Sequence, residues 1–290
     1  MHESPTNPQI IWRTRLRDFD LTHRGVVMGI LNVTPDSFSD GGRFVDIGSA
    51  LAHAESMIAQ GAEIIDVGGE STRPGAEPVD EHEEMRRVIP IVEALATRSG
   101  HGARFVLSVD TMKPAVARAA MRAGASIIND VGGLRDEGML AVAKESGAGV
   151  VVMHMQGEPK TMQKDPRYAD VCGAVREFFC HSLRRCVASG VPAPNIAFDP
   201  GIGFGKTPGH NLSLLARMNE IAIPGSPIVV GVSRKSFIGK ALGLSAPEDR
   251  EWPTVALTCH SRERGARVFR VHDVKPNVEA LRMTEAILGA

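Results

Sequence analysis

The chain has 290 residues, and 33 Lys and Arg against 34 Asp and Glu give it a formal net charge of −1. Its 43% hydrophobic and 23% charged residues are typical of a folded globular protein and exclude disordered and collagen-like chains. It has ten Phe, two Trp and one Tyr, so it lacks the basic excess and the stacking aromatics of a general nucleic-acid binder. We therefore expect a small-molecule site.

The cysteines and the apolar segments indicate a cytoplasmic protein. No C-x-x-C pair occurs, and three of the four cysteines fall in one predicted helix, which disfavours disulfides and zinc binding. The first residues contain no apolar core of a signal peptide. No apolar stretch approaches the roughly 20 residues that span a bilayer, so no membrane partner is expected.

Residues 1–25 form a predicted amino-terminal extension with room for a short hairpin, and residues 26–290 form one predicted domain. In this domain a short apolar run repeatedly ends in a polar residue and is followed by a helical segment. The predicted strands are Val26–Leu31, Ile64–Val67, Phe105–Val109, Ile127–Ile128, Gly149–Met153, Ile196–Phe198, Ile228–Val232 and Val268–Val271. The predicted helices are Ile47–Gln60, Glu81–Arg98, Pro114–Ala123, Gly138–Ser146, Val171–Ser189, Leu212–Ile221, Val255–Arg264 and Val274–Ile287.

Eight strands that alternate with eight helices indicate a parallel sheet, because parallel strands need long crossovers. An open, doubly wound sheet also accommodates eight strands. Polar residues end nearly every strand, however, and only in a closed barrel do all these ends meet on one face. The fold class predicted is therefore α/β, a single-domain (β/α)8 TIM barrel with long active-face loops after strands 1 and 2.

Those two long loops are rich in turn residues. The first runs over 32–42 as NVTPDSFSDGG and the second over 68–76 as GGESTRPGA. Paired glycines allow close backbone approach, hydroxyls donate, and the single Arg of the second loop offers a fork for an oxyanion. Taken alone, each loop is equally well interpreted as an active-site lid or as a solvated turn.

The segment after strand 6 reads DPGIGFGKT from Asp199. It departs from the phosphate-binding pattern G-x-x-x-x-G-K-[ST], because Pro200 stands at the first glycine position. Pro208 and Gly209 also stand where the following helix of an NTPase begins. We predict instead a glycine-lined wall that exposes Phe204 to a flat ligand.

Cations follow strands 7 and 8, where barrels commonly bind phosphate. Ser233-Arg234-Lys235-Ser236 opens a turn or short helix, although Arg234 is equally well a surface residue. Arg270 and His272 share one side of the last strand by alternation.

Asp110, Asn129 and Asp199 end strands 3, 4 and 6. Carboxylate and amide groups that converge with Lys235 form a donor–acceptor array suited to a planar heterocycle, whereas each alone is as easily a cap. His154 receives no catalytic role. The H-E-E-M-R segment from His82 is not a zinc-protease motif.

Together these segments resemble dihydropteroate synthase, the folate-pathway enzyme family. The matching stretches are MGILNVTPDSFSDGG from Met28, GAEIIDVGGESTRPGA from Gly61, SVDT from Ser108, INDVGG from Ile128, VVMHMQGEPKTMQ from Val151, DPGIGFGKT from Asp199, VGVSRKSFIGKALG from Val230 and RVHDV from Arg270. They occur in the family's order over nearly the whole chain. One departure is Pro253, where Gly is expected at the entry of the seventh helix.

The resemblance implies that p-aminobenzoate is joined to 6-hydroxymethyl-7,8-dihydropterin diphosphate with Mg²⁺ assistance, in a homodimeric sulfonamide target. It also implies which residues act in each role. The catalytic set is Asp110, Asp36, Thr72, Arg73 and Lys235, and the pterin set is Asp110, Asn129, Asp199 and Lys235. Asn32, Thr72, Arg73, Arg270 and His272 hold the diphosphate, Asn32 also binds the metal, and Phe38, Pro74, Phe204, Lys235 and Ser236 form the p-aminobenzoate site.

Two alternatives stay open. Another pterin-binding barrel, such as a methyltransferase, shares the Asp and Asn set but does not need the diphosphate residues. A non-catalytic binding protein is expected to lack one of the cations or the metal ligand, and none is missing.

Overall fold

A computed structural model of the chain describes residues 9–34, 47–71, 78–99, 102, 104–157 and 161–290. In it, eight parallel strands close into a barrel in sequence order, with the last strand paired to the first. The barrel strands are β3 Val26–Asn32, β4 Ile64–Gly68, β5 Val106–Asp110, β6 Ile127–Asp130, β7 Gly149–Met153, β8 Ile196–Asp199, β9 Ile228–Val230 and β10 Ala266–Val271. The predicted TIM barrel is confirmed.

Helices cover the outside of the barrel. They are α1 Ile47–Ala59, α2 Glu81–Ala96, α3 Pro114–Ala123, α4 Glu137–Ser146, α5 Val171–Ala188, α6 Pro208–Ala216, α7 Met218–Ile221, α8 Ser236–Leu242, α9 Glu251–Glu263 and α10 Val274–Leu288, with 3-10 helices at Ala193–Asn195 and Glu248–Arg250. The main apolar core lies between these helices and the outward-facing side chains of the strands. The glycines that follow five of the predicted helices all have positive φ, as left-handed helix ends require.

Two predicted helices begin four residues earlier than expected, and both differences involve proline. The predicted helix Leu212–Ile221 begins at Pro208, because Thr207 caps it and proline is tolerated in the first helical turn. It breaks at Arg217 into α6 and α7. Similarly, α9 begins at Glu251, so Pro253 lies in the first turn, where its missing N–H costs no helical hydrogen bond.

A hairpin precedes the barrel and closes its amino-terminal end. Strands β1 (Ile11–Arg13) and β2 (Asp18–Asp20) pair antiparallel. Trp12, Phe19 and Leu21 are buried in one apolar cluster with inward-facing side chains from all eight barrel strands. The indole of Trp12 donates to the carbonyl of Asn195 at 3.0 Å. This end of the barrel is therefore filled with apolar groups.

Alternation along the strands makes the opposite end polar. Ile64 lies in the apolar cluster beneath the hairpin, and two residues later Asp66 faces the same barrel interior. In the same way Val106 leads to Ser108 and then Asp110, and Val268 leads to Arg270. The carboxyl-terminal end of the barrel thus gathers charged side chains from several strands.

No helix in the described residues is long and apolar enough to cross a membrane. All four cysteines are free thiols, and three of them lie in α5 as predicted.

Candidate active site

The arginine of the last strand organises the polar end of the barrel. Arg270 Nε donates to Asp66 Oδ2 at 2.6 Å, and its Nη2 donates to Asp110 Oδ2 at 2.5 Å. Burial opposes the charge of Arg270, but the two carboxylates outweigh it and raise the pKa of the guanidinium. One cation therefore ties together strands β10, β4 and β5 across the barrel interior.

Asp66 is a member of this site that the sequence analysis missed. Its side chain is fully buried, and its Oδ2 accepts from Asn129 Nδ2 at 2.9 Å as well as from Arg270. The available signal was a lone carboxylate inside the apolar run Ile64–Gly68, two residues after an inward-facing Ile. A buried charge in a strand needs a partner, so this position could have been recognised.

Asp110 is held in a site that weakens its acidity. Burial raises the pKa of Asp110 to about 7, against the opposing effect of Arg270 and together with repulsion from Asp66. Asp110 Oδ1 and Asp66 Oδ1 are buried without a hydrogen-bond partner among the described residues. Buried acceptors are normally satisfied, so these two oxygens are suited to N–H donors of a ligand.

Gly68 and Gly231 make room for this constellation. Gly68 is opposite Asp110 in the register of β4 and β5, and a Cβ on it would lie 3.3 Å from Asp110 Cβ. A Cβ on Gly231 would lie 3.8 Å from Asp199 Oδ2 and 3.9 Å from Lys235 Nζ. The Asp199 and Lys235 groups therefore meet above Gly231, beside Arg270.

Lys235 links the carboxylates to the aromatic wall. Its Nζ donates to the carbonyl of Ile202 and lies 4.6 Å from the centroid of the Phe204 ring. Burial lowers the pKa of Lys235 to about 8, although Asp199 works in the opposite direction. Burial likewise raises the pKa of Asp199, whose Oδ1 accepts from Gly201 N at 2.6 Å. The predicted meeting of Asp110, Asn129, Asp199 and Lys235 is present at one end of the barrel.

Comparison with known proteins identifies the family. A family profile described as "Pterin binding enzyme" matches residues 28–272. The dihydropteroate synthase of Escherichia coli K12 is 50% identical over 93% of this chain and 94% of its own length. The chain belongs to the dihydropteroate synthase family.

Solved structures of that family share the fold closely. The Yersinia pestis dihydropteroate synthase, in a sulfonamide drug complex, has a TM-score of 0.90 at 47% identity, covering 97% of this chain and 100% of that one. The Burkholderia cenocepacia enzyme, complexed with 7,8-dihydropteroate, has a TM-score of 0.87 at 42% identity, with 98% of each chain covered. The predicted enzyme class, a transferase of the pterin-methyl group, is confirmed.

The residues after strands 7 and 8 pair with one another. His272 Nδ1 lies 2.9 Å from Ser233 Oγ, which also accepts from the His272 backbone N–H at 3.2 Å. Arg234 instead forms a two-pronged ion pair with Asp273, at 3.1 and 2.5 Å. Ser236 is exposed at the first position of α8. Arg234 is therefore a partly buried structural residue, which differs from the surface residue of the alternative interpretation.

A single predicted metal ligand lies among the described residues. Asn32 is the last residue of β3 and is partly exposed at the carboxyl-terminal end of the barrel. Over the described ranges, no group of three or more His, Cys, Asp or Glu is arranged to hold a metal ion. The amide oxygen of Asn32 would supply one protein ligand to a Mg²⁺ ion, which binds oxygen ligands and usually keeps few of them from the protein.

Five predicted site residues lie outside the described residues, namely Asp36, Phe38, Thr72, Arg73 and Pro74. The first residues of the second loop, 68–71, are described, and side chains of neighbouring elements hold them in place. Lys113 Nζ pairs with Glu70 and with the buried carboxylate of Glu84, and Arg87 donates to the carbonyl of Gly69 at 2.9 Å. These contacts fix where that loop leaves β4.

Proposed function

We propose that the carboxyl-terminal end of this barrel condenses 6-hydroxymethyl-7,8-dihydropterin diphosphate with p-aminobenzoate, yielding 7,8-dihydropteroate and pyrophosphate. One observation supports the residue assignments. The carboxylates of Asp66 and Asp110 converge beside Lys235, and each has a buried oxygen without a hydrogen-bond partner among the described residues. A neutral chain with such a site can bind a polar, flat ligand by placed groups rather than by overall charge.

Asp110, Asn129, Asp199 and Lys235 are assigned to the pterin ring. A pterin edge presents N–H donors and a carbonyl acceptor, and the carboxylates and the ammonium group supply the complementary partners. Asn129 is already oriented by its hydrogen bond to Asp66, and Asp199 by its bond to Gly201. The array is thus organised before any ligand arrives, which limits the entropy lost on binding.

Asp110 is also assigned to the chemical step. When the C–O bond breaks, its electron pair leaves with the diphosphate and positive charge develops on the pterin methylene. A fixed carboxylate close to that charge lowers the barrier. The amine nitrogen of p-aminobenzoate then forms the new C–N bond with its lone pair and loses a proton, so no protein nucleophile is needed.

The diphosphate is assigned to Asn32, Thr72, Arg73, Arg270 and His272. In the structure Asp66 and Asp110 accept from two of the N–H groups of Arg270, and a guanidinium has five. Arg270 can therefore keep its two carboxylate partners and still donate to the leaving group. A bound Mg²⁺ would neutralise diphosphate charge, with Asn32 as its protein ligand.

The p-aminobenzoate site is assigned to Phe38, Pro74, Phe204, Lys235 and Ser236. Phe204 is a partly buried aromatic residue, and Lys235 Nζ lies over its ring at 4.6 Å from the centroid. Asp36 is proposed to stabilise the first loop or the metal.

We also propose a homodimer in the cytoplasm. Large apolar side chains are exposed along α9 and α10, among them Trp252 at 72% and Ile287 at 65%. Free thiols at all four cysteines agree with a reducing compartment. Sedimentation equilibrium of the wild type and of Trp252→Glu tests the dimer, since a monomeric wild type would exclude it.

The proposed reaction is tested by incubating purified protein with the pterin diphosphate and p-aminobenzoate, with Mg²⁺ or with a chelator. We expect equal amounts of pyrophosphate and dihydropteroate, no coupled product without p-aminobenzoate, and a severe loss of rate after metal removal. Lys235→Ala is expected to lower turnover severely, with the exposed Lys240→Ala as the matched control. Absence of product from the folded wild type would refute the proposal.

A further inference from the structure

A second buried lysine lies behind the aromatic wall, and it has no part in the proposed reaction. Lys206 is 2% exposed. Its Nζ donates to the carbonyl of Phe204 at 2.9 Å and to the carbonyl of His154 at 3.3 Å, and it lies 3.0 Å from His154 Nδ1. A buried lysine without a carboxylate in hydrogen-bond contact is uncommon, so its position calls for an explanation.

Lys206 lies in a loop whose backbone is held by side chains at each step. The carbonyls of residues 202–205 accept, in order, from Lys235 Nζ, Gln163 Nε2, Lys206 Nζ and Tyr168 Oη. The N–H of Gly203 donates to the buried Asn211 Oδ1 at 2.8 Å. The loop is thus fixed by bonds to its backbone, and the ring of Phe204 is carried by that backbone.

The close fit of the loop explains why a lysine is needed there. Gly201 has φ +64, and a Cβ on it would lie 1.9 Å from the carbonyl oxygen of His154. Two carbonyl oxygens, those of His154 and Phe204, therefore turn toward the same buried space. A donor with several N–H groups is required to satisfy them, since buried acceptors left unpaired are costly.

We infer that Lys206, with His154 as its fixed acceptor, is a positioning residue that sets the place of the Phe204 ring for p-aminobenzoate. This inference rests on the proposed function, because it gives Phe204 its role. Lys206 acts on Phe204 through its backbone carbonyl, and Lys235 acts through the ring of Phe204 and the carbonyl of Ile202.

Lys206 can satisfy all three of its acceptors only when its amino group is protonated. An ammonium group has three donors for the three acceptors, whereas a neutral amine has two. Burial lowers the pKa of Lys206 to about 7, with Lys235 acting in the same direction and Asp199 against it. Burial also lowers the pKa of His154 to about 3, with Lys206 and Arg135 adding to the shift, so His154 stays neutral and can accept at Nδ1.

The test compares steady-state kinetics of the wild type, Lys206→Met and Lys206→Gln, with the exposed Lys240→Met as the matched control. For Lys206→Met we expect the KM for p-aminobenzoate to rise about tenfold to a hundredfold, as loss of charged hydrogen bonds allows. Lys206→Gln, which keeps two N–H donors without the charge, is expected to have a KM between those of Lys206→Met and the wild type. Binding of the pterin diphosphate, measured by calorimetry, should change by less than about threefold.

Two outcomes would overturn the inference. One is an unchanged KM for p-aminobenzoate in a folded Lys206→Met. The other is an equal loss of pterin and p-aminobenzoate affinity together with a lower melting temperature, which indicates general structural damage. His154→Asn retains an acceptor near the position of Nδ1 and should keep the KM within about threefold of the wild type; a rise as large as that of Lys206→Met would contradict the role of His154.

Hydrogen exchange separates this inference from the proposed reaction. If the wild type makes no dihydropteroate, the reaction fails, but exchange of the amides of Gly201, Gly203 and Phe204 still reports the loop. We expect these amides to exchange at least about tenfold faster in Lys206→Met than in Lys240→Met. Equal exchange would show that Lys206 does not hold the loop.

Discussion

The two ends of the barrel are built from the same strands but differ sharply in chemistry. At the amino-terminal end, Trp12, Phe19 and Leu21 of the hairpin complete an apolar cluster, and the ion pairs of Glu63 lie at its rim. At the carboxyl-terminal end, Asp66 and Asp110 are buried against Arg270, and one oxygen of each carboxylate has no hydrogen-bond partner among the described residues. One end is closed by packing and ion pairs within the chain, and we propose that the other end binds the ligand. This division of stability and function is common among TIM barrels.

The comparison predicts that substitutions at the two ends separate stability from activity. Charged groups at the carboxyl-terminal end are costly to bury and stay paired only through a few contacts. Apolar groups at the amino-terminal end contribute to the free energy of folding but touch no substrate. Four variants or conditions test this difference, in descending order of expected effect.

Arg270→Met should have the largest effect, because it leaves Asp66 and Asp110 buried without their cation. We expect kcat/KM to fall about 10²–10³-fold and the free energy of unfolding to fall by about 3–5 kcal/mol. Steady-state kinetics and urea unfolding measure the two, with the exposed Arg264→Met as the control. A variant that keeps more than a third of the wild-type kcat/KM would contradict the organising role of Arg270.

Trp12→Ala should affect stability alone. Its indole is fully buried and bonded to Asn195, so truncation should lower the free energy of unfolding by about 3–5 kcal/mol. At a temperature where the variant is folded, kcat should stay within about twofold of the wild type, because no substrate reaches the amino-terminal end. Equal losses of kcat in Trp12→Ala and in Arg270→Met would remove the proposed separation.

The pH dependence should identify the carboxyl-terminal end as the active one. Asp110 must be ionised and its pKa is raised to about 7, so kcat/KM for the pterin substrate should fall about tenfold per unit below pH 7. Lys235 must be protonated and its pKa is lowered to about 8, so activity should fall again above pH 8.

The control is Lys235→Arg, in which the alkaline limb should move beyond about pH 9.5 while the acid limb stays. The pH dependence of the free energy of unfolding tests the raised pKa of Asp110 independently of the kinetics. A carboxyl group with a raised pKa in the folded state stabilises fully below about pH 4 and loses that contribution as pH rises through about 7. The wild type should therefore lose stability relative to Asp110→Asn over that range, and a constant difference would argue against the shift.

Arg24→Met should have the smallest effect. Arg24 pairs with Glu63 at 2.7 Å, but its side chain is 52% exposed, and Arg17 also bonds Glu63. We expect a loss of stability below about 1 kcal/mol and unchanged kinetics. Urea unfolding measures this loss of stability. A loss as large as that of Trp12→Ala would mean that the ion pairs of Glu63, rather than the apolar cluster of the hairpin, close this end.

Local patterns were sufficient to predict the barrel and most of the described site. Polar residues at strand ends identified Asp110, Asn129, Asp199 and Arg270, because period-two alternation and parallel topology fix where such ends meet. The sequence analysis missed Asp66 because it lies inside a strand whose other residues are apolar or glycine. Its role depends on a cross-barrel partner more than two hundred positions away, Arg270.

The loop after β8 shows a different limit. Lys206 follows a glycine-rich segment, and its sequence context suggests a phosphate ligand that Pro200 then excludes. Only the folded chain shows that the lysine turns inward to His154, since the direction of a loop side chain depends on backbone angles at Gly201, Gly203 and Gly205. The same holds for Arg234, whose pairing with Asp273 joins two separate loops.

The central claim, that the buried carboxylates at the carboxyl-terminal end carry the condensation, is tested most directly by the rate of dihydropteroate formation by Asp110→Asn at pH 7. The substitution keeps the shape of the side chain, removes its charge and replaces one acceptor oxygen with an NH2 donor. We expect a loss of about a hundredfold or more in a protein that folds as the wild type does. A rate within about threefold of the wild type would contradict the claim.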